Sequence, residues 1–117
     1  MDDRRQHYRI RYPETEQPRF VFGTYICQVL ECSERGIRVR PSGESPEIGS
    51  QLTGRISMCH GAQLNVAGTV VWSEGGLIAI HLDSRPIPFL AVIREQIHLR
   101  RLARLREDGE RESIAPA

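Results

Sequence analysis

The stretch ECSERGIRVRP, residues 31–41, decides the fold because a polar turn there leads directly into an alternating strand. Ile37 and Val39 share one side of that strand. Arg38 and Arg40 share the other side. Successive side chains of a β-strand point to opposite faces, so this alternation predicts a strand with one face buried and one in water. Such a strand is typical of an antiparallel sheet.

Short apolar runs separated by turn residues continue on both sides of this stretch. The predicted strands are residues 19–22, 25–32, 36–41, 52–59, 63–72 and 77–82, with tight turns at Gly23-Thr24, His60-Gly61 and Ser73–Gly76. Six strands thus follow one another with no helix between them. An open sheet of this kind would leave its edges exposed, so the sequence predicts an all-β fold, a closed six-stranded antiparallel barrel.

The hydrophobic period changes to that of a helix after Pro88. The apolar residues Phe89, Leu90, Ile93 and Ile97 fall on one side of a helical wheel, which predicts an amphipathic helix that packs on the barrel through this face. Asp108-Gly109 is the predicted helix end. The resulting domain organisation is a flexible basic arm over residues 1–12, the barrel and helix over 13–106, and a disordered tail over 107–117.

A second group of apolar side chains, Leu99, Leu102 and Leu105, lies on another side of this predicted helix. Two interpretations stay open for this stripe. The helix either bends to keep one continuous contact with the core, or it contacts another chain, for example in a weak homo-oligomer.

Composition excludes several classes of protein. The 117 residues suffice for one domain, and no run of 18 apolar residues or leading apolar segment indicates a membrane span or secretory signal. We therefore expect a cytoplasmic protein without membrane insertion. The three cysteines lack the spacing of a redox pair or a zinc site and are expected to be reduced, packed thiols.

Nothing in the sequence is typical of an enzyme. The four histidines are scattered, and no serine or cysteine lies in the sequence context of an activated nucleophile. No cluster has metal-ligand spacing, and no glycine-rich loop joins a strand to a helix. We expect no catalytic residue, no metal and no cofactor.

Two short polar segments carry the functional signal. The first, RRQHYR, places Arg4, Arg5 and Arg9 close together, and guanidinium groups can bind a phosphate or a guanine edge through two parallel hydrogen bonds. The second, ECSERG, places Ser33 and Gly36 in a turn between two strands. Taken alone, the first is a solvated basic end and the second a β-turn with polar side chains.

Together the two segments resemble the PilZ family, whose pattern is Arg-x-x-x-Arg near the N-terminus followed by Asp or Asn-x-Ser-x-x-Gly. Arg5 and Arg9 match the first part, and Glu31, Ser33 and Gly36 occupy the second. The resemblance covers roughly residues 3 to 105 and implies a six-stranded barrel that binds cyclic di-GMP. It assigns the phosphates and guanine edges to Arg5 and Arg9.

The resemblance gives the remaining candidate residues supporting roles. Arg4 would add a neighbouring contact, and Ser33 with the turn at Gly36 would form the wall on the barrel side. Glu31 departs from the family pattern by one methylene, which implies binding that is weaker by about ten- to hundredfold. Trp72 either packs beside a bound purine or closes the end of the barrel.

The expected function is that of a cyclic di-GMP receptor and adaptor. Its N-terminal arm would close over the ligand, and the change would be relayed to an unidentified protein effector. The alternative is a protein-interaction module of the same fold that has lost or weakened nucleotide binding and acts through the leucine stripe. A third interpretation, a barrel that binds single-stranded DNA or RNA, lacks the exposed aromatic row such proteins use, so no nucleic-acid partner is expected.

Overall fold

An antiparallel sheet of short strands makes up most of the chain. The structure, a computed structural model, describes the backbone of residues 9–114 and the side chains of residues 9–108. The strands are β1 (Ile10–Arg11), β2 (Arg19–Phe22), β3 (Tyr25–Cys32), β4 (Gly36–Pro41), β5 (Gln51–Ser57), β6 (Gln63–Glu74) and β7 (Leu77–Arg85), and the helix is α1 (Phe89–Ile114). In this part of the chain no helix has the length and apolarity needed to cross a membrane.

Strands β2 to β7 close into the predicted six-stranded antiparallel barrel. Their order is β3-β2-β5-β6-β7-β4, and a further pairing of β3 with β4 joins the two ends. A two-residue turn at Gly75-Gly76 connects β6 to β7, and both glycines adopt positive φ angles, 60° and 80°, that other residues rarely adopt. The barrel therefore has no long free edge along these six strands.

The inward residues of the strands form one core. Ile37 and Val39 of β4 point inward, as their alternation predicts, and are 3% and 0% exposed. The pairing of β3 with β4 shifts register between Val29 and Glu31. This bulge brings Cys32 inward after Val29, which is why the run over residues 25–32 does not alternate cleanly.

The prediction of a flexible arm over residues 1–12 is wrong for its last three residues. Ile10 and Tyr12 are buried in the core, and Ile10 and Arg11 pair with Cys32 and Glu31 of β3. The physical reason is the same alternation that builds the other strands, because Ile10 and Tyr12 point inward on either side of an exposed Arg11. Arg4 and Arg5 lie outside the described residues.

The helix packs on the barrel through a different face from the one predicted. Val92 and Glu95 are fully buried and Leu99 packs against the core, whereas Leu90 and Ile97 remain 56% and 43% exposed. Phe89 is also largely exposed, and Ile93 is only partly buried. A buried carboxylate with several hydrogen-bond donors fixes this face, and hydrophobicity alone does not reveal it.

The far end of the helix also differs from the prediction. The helix continues to Ile114, so residues 107–114 are helical and Gly109 does not end it. A single glycine inside a helix costs only about 1 kcal/mol relative to alanine, and no proline follows until Pro116. The predicted leucine stripe is split, because Leu99 packs on the core while Leu105 is 66% exposed.

Glu95 joins the helix to the barrel. The Tyr12 hydroxyl donates to Glu95 Oε2 over 2.6 Å, and the backbone N–H groups of Cys59 and His60 donate to the same carboxylate over 2.9 Å each. His60 Nδ1 lies 2.7 Å from Oε1. Burial raises the pKa of Glu95, but these hydrogen bonds outweigh burial and hold the pKa below its usual value. The carboxylate is therefore charged at neutral pH and fully satisfied.

Candidate functional site

Arg9, the last residue of the first polar segment, meets the second polar segment at one cleft on the outer side of the barrel. Arg9, Glu31, Ser33 and Gly36 all line this cleft, whose volume is about 310 Å³. The further lining residues are Cys32, Arg35, Ile37 and Arg38 from the β3–β4 hairpin, Val71 from β6, and Ala79, Ile80 and His81 from β7. Of the predicted site residues, the structure thus brings four together, while Arg4 and Arg5 lie outside its described part.

The turn between β3 and β4 positions Ser33 at the cleft. The Ser33 backbone N–H donates to the Gly36 carbonyl over 2.9 Å, and the Ser33 hydroxyl lies 3.3 Å from the same oxygen. The φ of Gly36 is not positive, and an added Cβ would make only ordinary contacts. The turn therefore does not require glycine at this position, and Gly36 lines the cleft without a side chain.

Glu31 lies between two arginines. Its Oε2 is 3.4 Å from Arg38 Nη1, and its Oε1 is 4.0 Å from Arg9 Nη1. The Arg9 and Arg38 side chains are 60% and 42% exposed, while that of Glu31 is 17% exposed. Exposed ion pairs at such distances contribute little to stability, typically about 0–1 kcal/mol. Both guanidinium groups can therefore exchange this carboxylate for another anion at small cost.

A row of paired residues runs across four neighbouring strands, from Glu31 on β3 through β4 and β7 to β6. Glu31 pairs with Arg38, Arg38 with Ala79, and Ala79 with Trp72. The Arg38 guanidinium lies over the Trp72 ring, with Cζ 5.1 Å from the ring centre. Trp72 is half-buried on the outside of the barrel and is absent from the core cluster and from the cleft lining. Trp72 therefore does not close the end of the barrel.

Arg38 is the site residue that sequence reasoning missed, although the sequence contains a signal for it. A hairpin with its turn over residues 33–36 pairs residue 32 with residue 37 and residue 31 with residue 38, as the structure shows. Alternation also places Arg38 on the outer face with Glu31. The contact with Trp72 has no such local signal, because it depends on the pairing of β4, β7 and β6.

The cysteines are not activated as nucleophiles, and the described side chains form no metal site. Burial raises the pKa of Cys32 to about 11 and that of Cys59 to about 12, so both are protonated thiols at neutral pH. All three cysteines are free, as predicted. No group of three or more histidine, cysteine or acidic side chains in this part of the chain has the geometry of a metal site.

The described residues thus combine a closed antiparallel barrel with an arginine-lined cleft. The family model of the PilZ domain matches residues 3–102, and the chain belongs to this family. PilZ domains are binding and adaptor modules, and the family is one of receptors for cyclic di-GMP. The resemblance seen in the sequence and the predicted fold class are thereby confirmed.

Other comparisons add little to the family match. No curated protein matches the chain. A crystal structure of an uncharacterized protein from Legionella is similar in fold, at 16% sequence identity and a TM-score of 0.49, over 85% of this chain and 97% of that one.

Proposed function

We propose that the chain binds cyclic di-GMP in the cleft between the start of β1, the β3–β4 turn and β7. The observation that carries this proposal is that Arg9 lines the same cleft as Ser33 and Gly36, although more than twenty residues separate them in the sequence. The cleft offers guanidinium groups for phosphates and a hydroxyl and a carboxylate for a base.

Arg9 and Glu31 have complementary tasks in this proposal. Arg9, together with Arg5 and Arg4 of the preceding segment, binds the phosphates and a guanine edge. Glu31 accepts from the N1–H and amino group of a guanine. Its present partners are two loosely held guanidinium groups, so the ligand replaces weak contacts with stronger, charge-assisted hydrogen bonds.

Ligand binding would be relayed from the cleft to the helix. Tyr12 follows Arg9 by three residues and donates to Glu95 of the helix, and its hydroxyl lies 3.3 Å from Sγ of Cys32, the neighbour of Glu31 and Ser33. A shift of the segment ahead of β1 toward the ligand would therefore act on the helix through Tyr12. We infer that this cytoplasmic receptor presents the altered helix surface to a protein effector.

Isothermal titration calorimetry with cyclic di-GMP tests the proposal. Arg9→Ala is expected to weaken binding by about 10- to 100-fold, because a charge-assisted hydrogen bond contributes about 1.5–3 kcal/mol. Arg5→Ala is expected to have a similar effect. Arg55→Ala is the matched control, since Arg55 is an exposed arginine on β5, across the barrel from the cleft. If the unaltered protein binds cyclic di-GMP and Arg9→Ala binds it equally well, the proposed site is contradicted.

Shortening Glu31 tests its role at the guanine edge. Glu31→Asp restores the residue type of the family pattern and is expected to tighten binding, by up to about tenfold for one better-placed hydrogen bond. If binding weakens instead, the longer side chain is the one that fits this cleft. Calorimetry of Glu31→Asp beside Glu31→Gln separates side-chain length from charge.

The exposed apolar residues of the helix favour a second candidate function, a protein-interaction module that has lost nucleotide binding. Leu90, Ile97 and Leu105 are 56%, 43% and 66% exposed. Such a module would give no heat with cyclic di-GMP at any practical concentration. Sedimentation velocity with and without the ligand would show whether these residues mediate self-association.

A further inference from the structure

Three described arginines line the cleft: Arg9, Arg35 and Arg38. Arg38 does not belong to either of the two PilZ sequence motifs. Arg38 lines the cleft, whereas Trp72, over which it lies, does not. The guanidinium group therefore stands between the indole ring and the cleft, with Glu31 Oε2 3.4 Å from its Nη1 on one side.

The strand between Arg38 and Trp72 explains how this arrangement arises. Both residues pair with Ala79 of β7, from opposite sides. Neighbouring strands lie about 4.8 Å apart, so the two residues are separated by about 10 Å of sheet. The small side chain of Ala79 allows the long arginine side chain to lie across β7 and reach the ring.

A guanidinium group is planar and can stack on both of its faces. The Arg38 Cζ lies over the Trp72 ring, 5.1 Å from the ring centre, where cation–π attraction favours the contact. Arginine is also weakly hydrated and stacks readily on nucleic-acid bases. A flat, positively charged surface at the wall of a cleft is therefore suited to a purine ring.

Resting on the proposed function, we propose that Arg38 binds a guanine base of the nucleotide by stacking, as the middle layer between that base and Trp72. Trp72 is then a positioning residue, which acts through Arg38 and does not touch the ligand. Glu31 Oε2 lies beside the same guanidinium, 3.4 Å from Nη1, so the base and the carboxylate meet at one place in the cleft.

Two substitutions at Arg38 separate stacking from charge. Arg38→Met keeps a long side chain that covers the Trp72 ring but removes the planar, charged guanidinium group. Arg38→Lys keeps the charge and removes the plane. By calorimetry with cyclic di-GMP, both are expected to weaken binding by about tenfold or more, a typical loss for one stacked base. Arg55→Ala is again the control and should bind as the unaltered protein does.

Trp72 supplies a second readout because it is the only tryptophan in the chain. In the ligand-free protein, Arg38→Ala uncovers the Trp72 ring and is expected to increase the quenching of Trp72 fluorescence by acrylamide. Arg38→Met keeps the ring covered and is expected to leave the quenching unchanged. Trp72→Ala is expected to weaken nucleotide binding less than Arg38→Met, and the double variant should bind no worse than Arg38→Met alone.

The outcomes distinguish this inference from the proposed function. Heat with the unaltered protein and undiminished binding in Arg38→Met overturns the stacking role alone. Undiminished binding in Arg38→Lys shows that charge without a plane suffices and also overturns it. No heat with the unaltered protein overturns the proposed function, and the stacking role with it. Unchanged quenching in Arg38→Ala overturns the contact with Trp72.

Discussion

Glu95 of the helix and Glu31 of the barrel have opposite surroundings. Glu95 has no exposed surface and accepts hydrogen bonds of 2.6–2.9 Å from a hydroxyl, two backbone N–H groups and a histidine ring. Glu31 lies at a cleft and has only two guanidinium partners, at 3.4 and 4.0 Å. The first carboxylate fixes the helix on the barrel, while the second keeps partners that a ligand can replace. Placement thus gives one residue type a structural role in the helix junction and, in the proposed function, a binding role at the cleft.

The largest effect is expected from removing the buried carboxylate. Glu95→Ala leaves the N–H groups of Cys59 and His60 without their acceptor and leaves the Tyr12 hydroxyl only the weak contact with Cys32 Sγ. It is expected to lower the free energy of unfolding by about 3–5 kcal/mol. Urea denaturation measures the loss. A loss as small as that in Glu31→Ala would remove the distinction between the two carboxylates.

A smaller loss is expected from the hydroxyl group that joins β1 to the helix. Tyr12→Phe removes one hydrogen bond to Glu95 and is expected to lower the free energy of unfolding by about 1–3 kcal/mol. Tyr25→Phe is the matched control, because Tyr25 is half-buried against Phe22 and its hydroxyl has no hydrogen bond among the described residues. Equal losses in the two variants would show that the Tyr12–Glu95 contact is energetically unimportant.

The pH dependence of stability sharpens the comparison further. In the folded protein the pKa of Glu95 is below its usual value. The stabilisation that Glu95 provides is therefore complete above the pKa of the unfolded chain, about 4.3, and is lost as the pH falls through the folded pKa. The unaltered protein should therefore lose more unfolding free energy between pH 6 and pH 3 than Glu95→Gln does. Parallel curves for the two proteins in urea titrations at several pH values would contradict this expectation.

The smallest change in stability is expected at the cleft. Glu31→Ala removes two exposed ion pairs and should change the free energy of unfolding by no more than about 1 kcal/mol. The same variant should clearly weaken nucleotide binding in calorimetry, since a guanine acceptor is lost. A large loss of stability with unchanged binding would reverse the roles assigned to the two glutamates.

The sequence predicts the barrel well because each strand carries its own signal. Alternation in β4 and glycines in the turns are local features, and local features suffice to place six strands in order. The helix face was predicted wrongly because Glu95 is polar in sequence but buried in the fold. Its partners come from Tyr12 and from Cys59 and His60, at distances of 83, 36 and 35 residues along the chain. A helical wheel shows only the residues of the helix itself, so it cannot reveal these partners.

In the candidate site, too, some contacts follow from the local sequence and others depend on the whole fold. Glu31, Ser33 and Gly36 belong to one turn, so their proximity follows from the sequence, and the pairing of Glu31 with Arg38 follows once that turn is located. The position of Trp72 behind Arg38 does not follow, because it requires β7 to lie between β4 and β6 with a small residue at Ala79. Barrel closure, which is a property of the whole chain, creates that contact.

The most direct test of the central claim, that the open cleft and not the helix junction receives the nucleotide, is a ¹H–¹⁵N NMR titration with cyclic di-GMP. The largest changes in amide chemical shift are expected at Arg9, Ser33, Gly36 and His81, with little change along β5. Shifts confined to the helix junction at Cys59, His60 and Glu95, or no shifts at saturating nucleotide, would contradict the claim.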